Sequence, residues 1–299
     1  MRHHYVPQFL LRRWTNATGK LHSFAVREGR IMCSELTPRY TGYEPGLYAI
    51  VAHLFGLSED HIETKLFAPI DDKAAKVLEK LEQHQAISDD EHIAWTFFLA
   101  AFLVRQPTTL AYLRTEGIDM VRRQLAERDK ADLPASWPTT EQWLDMNFPG
   151  GLEAASLTAF LPRMIAQPEV MGAFANTKWW FREFEPDAPK LLLSDMPIHT
   201  ENRLKDDDFT VQLPIAPDRI FFGTRAEKTE QFLTQLAAAD IIERVNRTTL
   251  ASSSGRIWGS TGSEAQAFIE ANLDVMGKNV ITLRDVARNS RSCAEPDEA

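Results

Sequence analysis

The spacing of apolar positions changes along the chain, and the changes divide it into three stretches. Near the amino end, Phe9, Leu10 and Trp14 share one face behind Pro7, which predicts a short helix over about residues 7–14. Residues 16–20 (NATGK) read as a turn, and LHSFAVREGRIM alternates apolar and polar positions around Glu28-Gly29, which predicts a β-hairpin. Residues 37–46, rich in Pro, Gly and Tyr, read as irregular.

From Ser58 the period becomes helical, with Ile62, Leu66, Ile70, Ala74, Val77 and Leu81 recurring along one stripe. Pro69 predicts a kink or a restart within it. Ser88 and Glu91 form a capping box ahead of a helix that is apolar all round and therefore expected to be central. Pro107 should end or kink that helix near Arg105-Gln106, with helix resuming over 108–127. Residues 128–151 are dense in Pro and Gly, although TEQWLDM suits a turn or two of helix, and a further helix is expected over 152–167.

The period then shortens. KWWFREF, KLLLSD, FTVQLPI and RIFFGT are short, rich in aromatic or branched residues and separated by turn signals, so they read as strands. Helices are expected over about 227–251 and 263–273, with SSSGRIWGS between them. The layout predicts an α+β fold. It is a mainly helical domain with a small, mostly antiparallel sheet, built from the amino-terminal hairpin, the 178–223 strands, or both. One domain should run over 1–287, with a helical middle at about 58–167 and a sheet-containing part at about 178–260. The polar residues 288–299 read as a disordered tail.

Composition narrows the functional classes. The 299 residues carry a net charge of -9, so the molecule as a whole does not complement nucleic acid, and only a local patch such as Arg2, Arg12 and Arg13 would. Cys33 and Cys293 are the only cysteines, which excludes a disulfide framework and a cysteine-based zinc site. The amino end has no apolar stretch with a cleavage site. The most apolar run, residues 93–104, is too short for a membrane span, so a soluble, cytoplasmic protein without membrane contact is expected. HExxH, GxSxG, GxGxxG and Walker A patterns are absent.

Four places carry candidate chemistry. His3 and His4 are adjacent, so on extended chain they point to opposite sides; one could face a pocket as a base or ligand while the other meets water. Glu63 and Asp71 are eight residues apart and would share a face of a continuous helix, where two carboxylates suit Mg²⁺ or Mn²⁺. A solvated helix flank explains them equally simply. Arg105, at the end of an apolar helix, needs a carboxylate or phosphate partner, as a structural ion pair or as a substrate clamp. Ser194 and Asp195 end an apolar strand ahead of Pro197, where they could serve chemistry or only bond the turn backbone.

Taken in order, HHYVPQFLLRRW, GLYAI, IETKLFAPIDDKAA, ISDDEHIAWTFFLAAFLVRQPTT, KWWFREF, LLLSDMPI, LPIAPDRIFF and VNRTTLASSSGRIW resemble the family catalogued as domain of unknown function 4238, over roughly residues 3–260. Its pattern is an HxxPxxxLRxF opening, an IE helix, an arginine before a proline and an SDxP turn. The resemblance implies that His4, Glu63, Arg105 and Asp195, with His3, Gln8 and Ser194 beside them, belong to one polar site.

Two functions follow as expectations. In the first, a metal-assisted hydrolase cleaves a phosphodiester, as a nuclease does. Glu63, Asp195 and Asp71 hold Mg²⁺ or Mn²⁺, His4 acts as base or ligand and Arg105 clamps phosphate. In the second, the protein is a non-catalytic binding or regulatory module, and the same residues form a structural network. Convergence of His4, Glu63, Arg105 and Asp195 in one open cleft separates the two.

Overall fold

A computed structural model of the chain describes residues 1–50, 56–132, 134 and 136–279. The tail expected over 288–299 and the domain limit at 287 lie outside the described residues. The fold is α+β, with eleven helices among the described residues, three small antiparallel sheets in place of one, and a helical middle as expected.

The amino-terminal strand β1 (Arg2–His4) pairs with β4 (Tyr43–Pro45), so part of the stretch that reads as irregular is strand. Between them, α1 (Gln8–Leu11) runs into a tighter turn ending at Trp14, and the hairpin forms as β2 (Leu21–Arg27) and β3 (Arg30–Leu36). Its sheet is completed from far along the chain, in the order β3-β2-β10-β6, by β10 (Arg256–Gly259) and β6 (Leu193–Ser194). The segment SSSGRIWGS thus supplies a strand that its Ser and Gly content conceals.

The other four-stranded sheet, in the order β5-β9-β8-β7, comprises β5 (Lys178–Glu183), β9 (Arg219–Thr224), β8 (Thr210–Ala216) and β7 (His199–Glu201). Strand β8 is buried on both faces. Val211, Leu213 and Ile215 enter the main core with the helical middle, while Ile220 and Phe222 of β9 meet Ile241, Ile242 and Val245 on the opposite side. Pro214 is tolerated because β7 pairs only with residues 210–212, and the β8–β9 register shifts between Pro214 and Ala216.

The helical middle follows the apolar stripes. A π-helical turn, Glu63–Phe67, leads into α2 (Ala68–Glu82), whose first turn contains Pro69. The expected break is therefore a widened turn rather than a stop: a proline lacks the N–H for an ordinary bond, and the π-turn absorbs its ring. The capping box forms, with the Glu91 N–H donating to Ser88 Oγ at 3.3 Å and the Ser88 N–H donating to Glu91 Oε2 at 2.9 Å, and α3 (Asp89–Phe102) is central. Helix stops before Arg105 and restarts as α4 (Pro107–Tyr112), then passes through a second π-turn into α5 (Ile118–Asp132).

Next come α6 (Thr140–Asn147), α7 (Gly151–Ile165) and α8 (Pro168–Ala175); the last is absent from the periodicity reading, although Pro168 at its first turn marks its start. The expected 227–251 helix is two, α9 (Glu227–Gln235) and α10 (Ala238–Ser252), and α11 (Gly262–Ala271) packs on the hairpin sheet through Ala265 and Ile269. No helix among the described residues is long and apolar enough to cross a membrane.

Candidate functional site

Both histidines of β1 face inward, at 1% and 7% exposure for His3 and His4, which corrects the expectation that one meets solvent. The strand is covered on both sides. His3 stacks on Tyr48 at 5.5 Å between ring centroids and accepts the Tyr48 N–H through Nδ1 at 2.7 Å. On the other side, His4 Nε2 donates to the Pro38 carbonyl at 3.3 Å, and its ring lies against Tyr43. Burial lowers the His4 pKa to about 4, so the imidazole is neutral at ordinary pH.

Arg105 lies at the centre of the cluster, fully buried. Its Nη1 and Nη2 donate to the two carboxylate oxygens of Asp71 at 2.7 and 3.0 Å, and Nη2 also donates to the His4 carbonyl at 2.9 Å. The guanidinium stands over Phe67, 4.9 Å from its centroid, and its own carbonyl accepts the Tyr48 hydroxyl at 2.7 Å. Burial alone would lower its pKa, but Asp71 holds it above the usual value, so the charge persists. One residue, through its side chain and its carbonyl, thus joins β1, α2, Tyr48 and the α3–α4 junction. The arrangement is that of a structural ion pair.

Glu63 shares this neighbourhood across the π-turn. Burial raises its pKa to about 7 against the pull of Arg105, and the Asp71 charge raises it further. Glu63 Oε2, His3 Nε2 and Arg105 Nε are buried without a hydrogen-bond partner. Glu63 and Asp71 lie within electrostatic reach of each other, and both feel the Arg105 charge.

Asp195 belongs to a different cluster. It is 4% exposed; Oδ1 accepts from Ser253 Oγ at 2.8 Å and from the Ser254 N–H at 3.0 Å, and Oδ2 accepts from Ser254 Oγ. Burial raises its pKa, and the hydrogen bonds from Ser254 and Ser253 act against that. The carboxylate thereby ties the turn after β6 to the loop between α10 and β10. Ser194 Oγ donates to the Met196 carbonyl at 3.0 Å within its own turn, the backbone role open to it from sequence. Gln8 is half-buried on α1.

The predicted site residues therefore divide. His3, His4, Glu63, Asp71 and Arg105 come together, while Asp195 and Ser194 do not join them. Among the described residues, no group of three or more His, Cys, Asp or Glu side chains is placed to hold a metal ion, so the expected ligand set Glu63, Asp71 and Asp195 is not assembled. Both oxygens of Asp71 face a guanidinium, which also repels a cation at that point. Of the expected basic patch, Arg13 pairs with Glu82, and Arg2 stacks over Tyr40 and Tyr43. Sequence reasoning missed Tyr48 and Tyr5. The first follows GLYAI's loss of polarity around a single hydroxyl, and the second follows directly on the histidine pair.

Fold and site together define an α+β protein whose amino-terminal strand is locked to a helical core by a buried arginine. The chain belongs to the family described as a protein of unknown function, DUF4238, whose model matches residues 2–263. Neither a curated protein nor a solved structure matches it.

Proposed function

We propose that the protein is a binding or regulatory module in which His4, Asp71 and Arg105 fix the opening strand to the helices. The observation that carries this reading is the state of Arg105. A phosphate clamp needs free donors on the guanidinium, and here its terminal nitrogens are directed at Asp71 and the His4 carbonyl. Breaking so buried a pair to admit phosphate would strand the Asp71 charge.

A second reading, a hydrolase acting on a phosphodiester, is favoured by Glu63. A carboxyl titrating at about 7 with one unpartnered oxygen suits general acid–base work near neutral pH. The experiment is incubation of purified protein with DNA and with RNA, with and without Mn²⁺ or Mg²⁺. The module reading expects no turnover. Cleavage that is lost in Glu63→Gln or Asp195→Ala, with folding intact by circular dichroism, overturns it in favour of the hydrolase.

A further inference from the structure

The turn holding Asp195 forms one wall of a cleft of about 220 Å³, which is also lined by Tyr5, Arg27, Glu44, Pro107 and Arg256. It lies where β1, the end of β2, the start of α4 and the loop before β10 meet. Two cations and two anions line it, and among the described residues none of the four takes part in an ion pair. Opposite charges around a small concavity ordinarily neutralise one another across it. Here they are held apart by separate elements: Arg27 sits at the end of β2, Glu44 on β4, and Arg256 on β10 opposite Ala25.

Three of these groups nevertheless face the same neighbour. Asp195, Arg256 and Glu44 all act electrostatically on the Tyr5 hydroxyl. Asp195 is anchored by the two serines, yet Oδ2 carries a single hydrogen bond and keeps acceptor capacity. Gly255 brings backbone close to the cleft, at a φ of +125°, where a Cβ would stand 3.1 Å from the Val26 carbonyl.

We infer that this cleft binds a small zwitterion of the α-amino-acid class, with Arg256 and Arg27 receiving its carboxylate and Asp195 and Glu44 its ammonium. The assignment rests on the binding-module reading and supplies its ligand. Balanced charge on the walls matches a ligand of no net charge, and guanidinium groups suit a planar carboxylate. The cavity is smaller than the roughly 300–1,000 Å³ of sites for drug-sized molecules, which limits the ligand to metabolite size.

The test is calorimetric titration of the full chain with each of the twenty common L-amino acids. The N-acetyl and amide forms of the best binder, inorganic phosphate and acetate follow. Saturable binding of an amino acid is expected, weakened at least roughly tenfold by blocking either end and by Glu44→Gln or Arg256→Gln. Phosphate or acetate binding as tightly as the amino acid overturns the inference in favour of a plain anion site. Failure of all twenty to bind the folded protein also overturns it and leaves the module reading standing. Metal-dependent cleavage of nucleic acid alongside amino-acid binding sinks the module reading and leaves the ligand assignment in place.

Discussion

The Arg105 cluster and the Asp195 cleft draw on the same side-chain chemistry, an arginine, carboxylates and a tyrosine, and put it to opposite uses. Around Arg105 the charges are paired inside the core: a guanidinium with no exposure meets both oxygens of Asp71, and its Nη2 also donates to a strand carbonyl. Around Asp195 the carboxylate is fixed by uncharged serines, and the arginines and glutamate beside it remain without ionic partners. The buried, two-pronged ion pair of Arg105 with Asp71 makes the first cluster a joint between elements. Incomplete pairing at the surface leaves the second able to meet a ligand. The difference teaches that a polar motif is read by which of its atoms are already occupied, and residue types alone do not decide it.

The comparison breaks most sharply at Arg105. Arg105→Ala strands the largely buried Asp71 carboxylate, and a loss of about 3–5 kcal/mol in denaturant unfolding is expected. The double variant Arg105→Met with Asp71→Leu removes both charges and should recover most of that loss, because well-packed apolar replacements of buried pairs are often neutral or stabilising. A double variant as unstable as the single one would show that the ion pair is not what joins the strand to the helices.

Asp195→Ala comes next. It removes the acceptor for the Ser253 and Ser254 hydroxyls and the Ser254 N–H, so about 1–3 kcal/mol should be lost. Asp195→Asn keeps one acceptor oxygen and should lose less. If Asp195→Ala is as stable as the native chain, the carboxylate is not the anchor of the loop.

Glu63 gives the first cluster a pH signature of its own. Its pKa is raised in the folded state from 4.5 to about 7, so the unfolded chain releases the proton first as pH rises. Stability contributed by the protonated carboxyl is therefore whole below about 4.5 and is lost as pH climbs through about 7. His4 runs the other way. Its lowered pKa makes a contribution that is present above 6.5 and lost as pH falls toward about 4. The difference between native and Glu63→Gln unfolding curves isolates the first effect, and a change on the order of 1–2 kcal/mol across that window is expected for a partly exposed group. A flat difference curve would show that burial does not hold the Glu63 carboxyl protonated against the pull of Arg105.

Much of this layout was legible because local signals and final structure agree. The capping box, the hairpin, the apolar central helix and the stop before Pro107 each depend on residues a few positions apart. What escaped depends on partners far along the chain. Strand β10 exists because β2 and β6 flank it, and nothing within SSSGRIWGS has the alternation of a strand. The same limit governs the site. His3, His4, Glu63, Asp71 and Arg105 were identifiable as chemistry, but whether Arg105 meets phosphate or Asp71 is settled by how α2 packs against α3, through a π-turn that Pro69 only hints at. Asp195 was identifiable too, and its separation from the others follows from β6 joining the hairpin sheet rather than the sheet of its sequence neighbours.

The smallest effect on stability sharpens the contrast from the cleft side. Arg27 and Glu44 are exposed and in no ion pair among the described residues, so little of the folded state's stability should rest on their charge. Arg27→Gln and Glu44→Gln should each leave unfolding free energy within about 0.5 kcal/mol of the native chain. Charges exposed to water contribute little, and removing one leaves no buried partner behind, unlike Asp71 after loss of Arg105. A loss above roughly 1 kcal/mol in either variant would mean that the cleft charges already stabilise one another. The cleft would then be a second structural joint, and the distinction between the two clusters would fall.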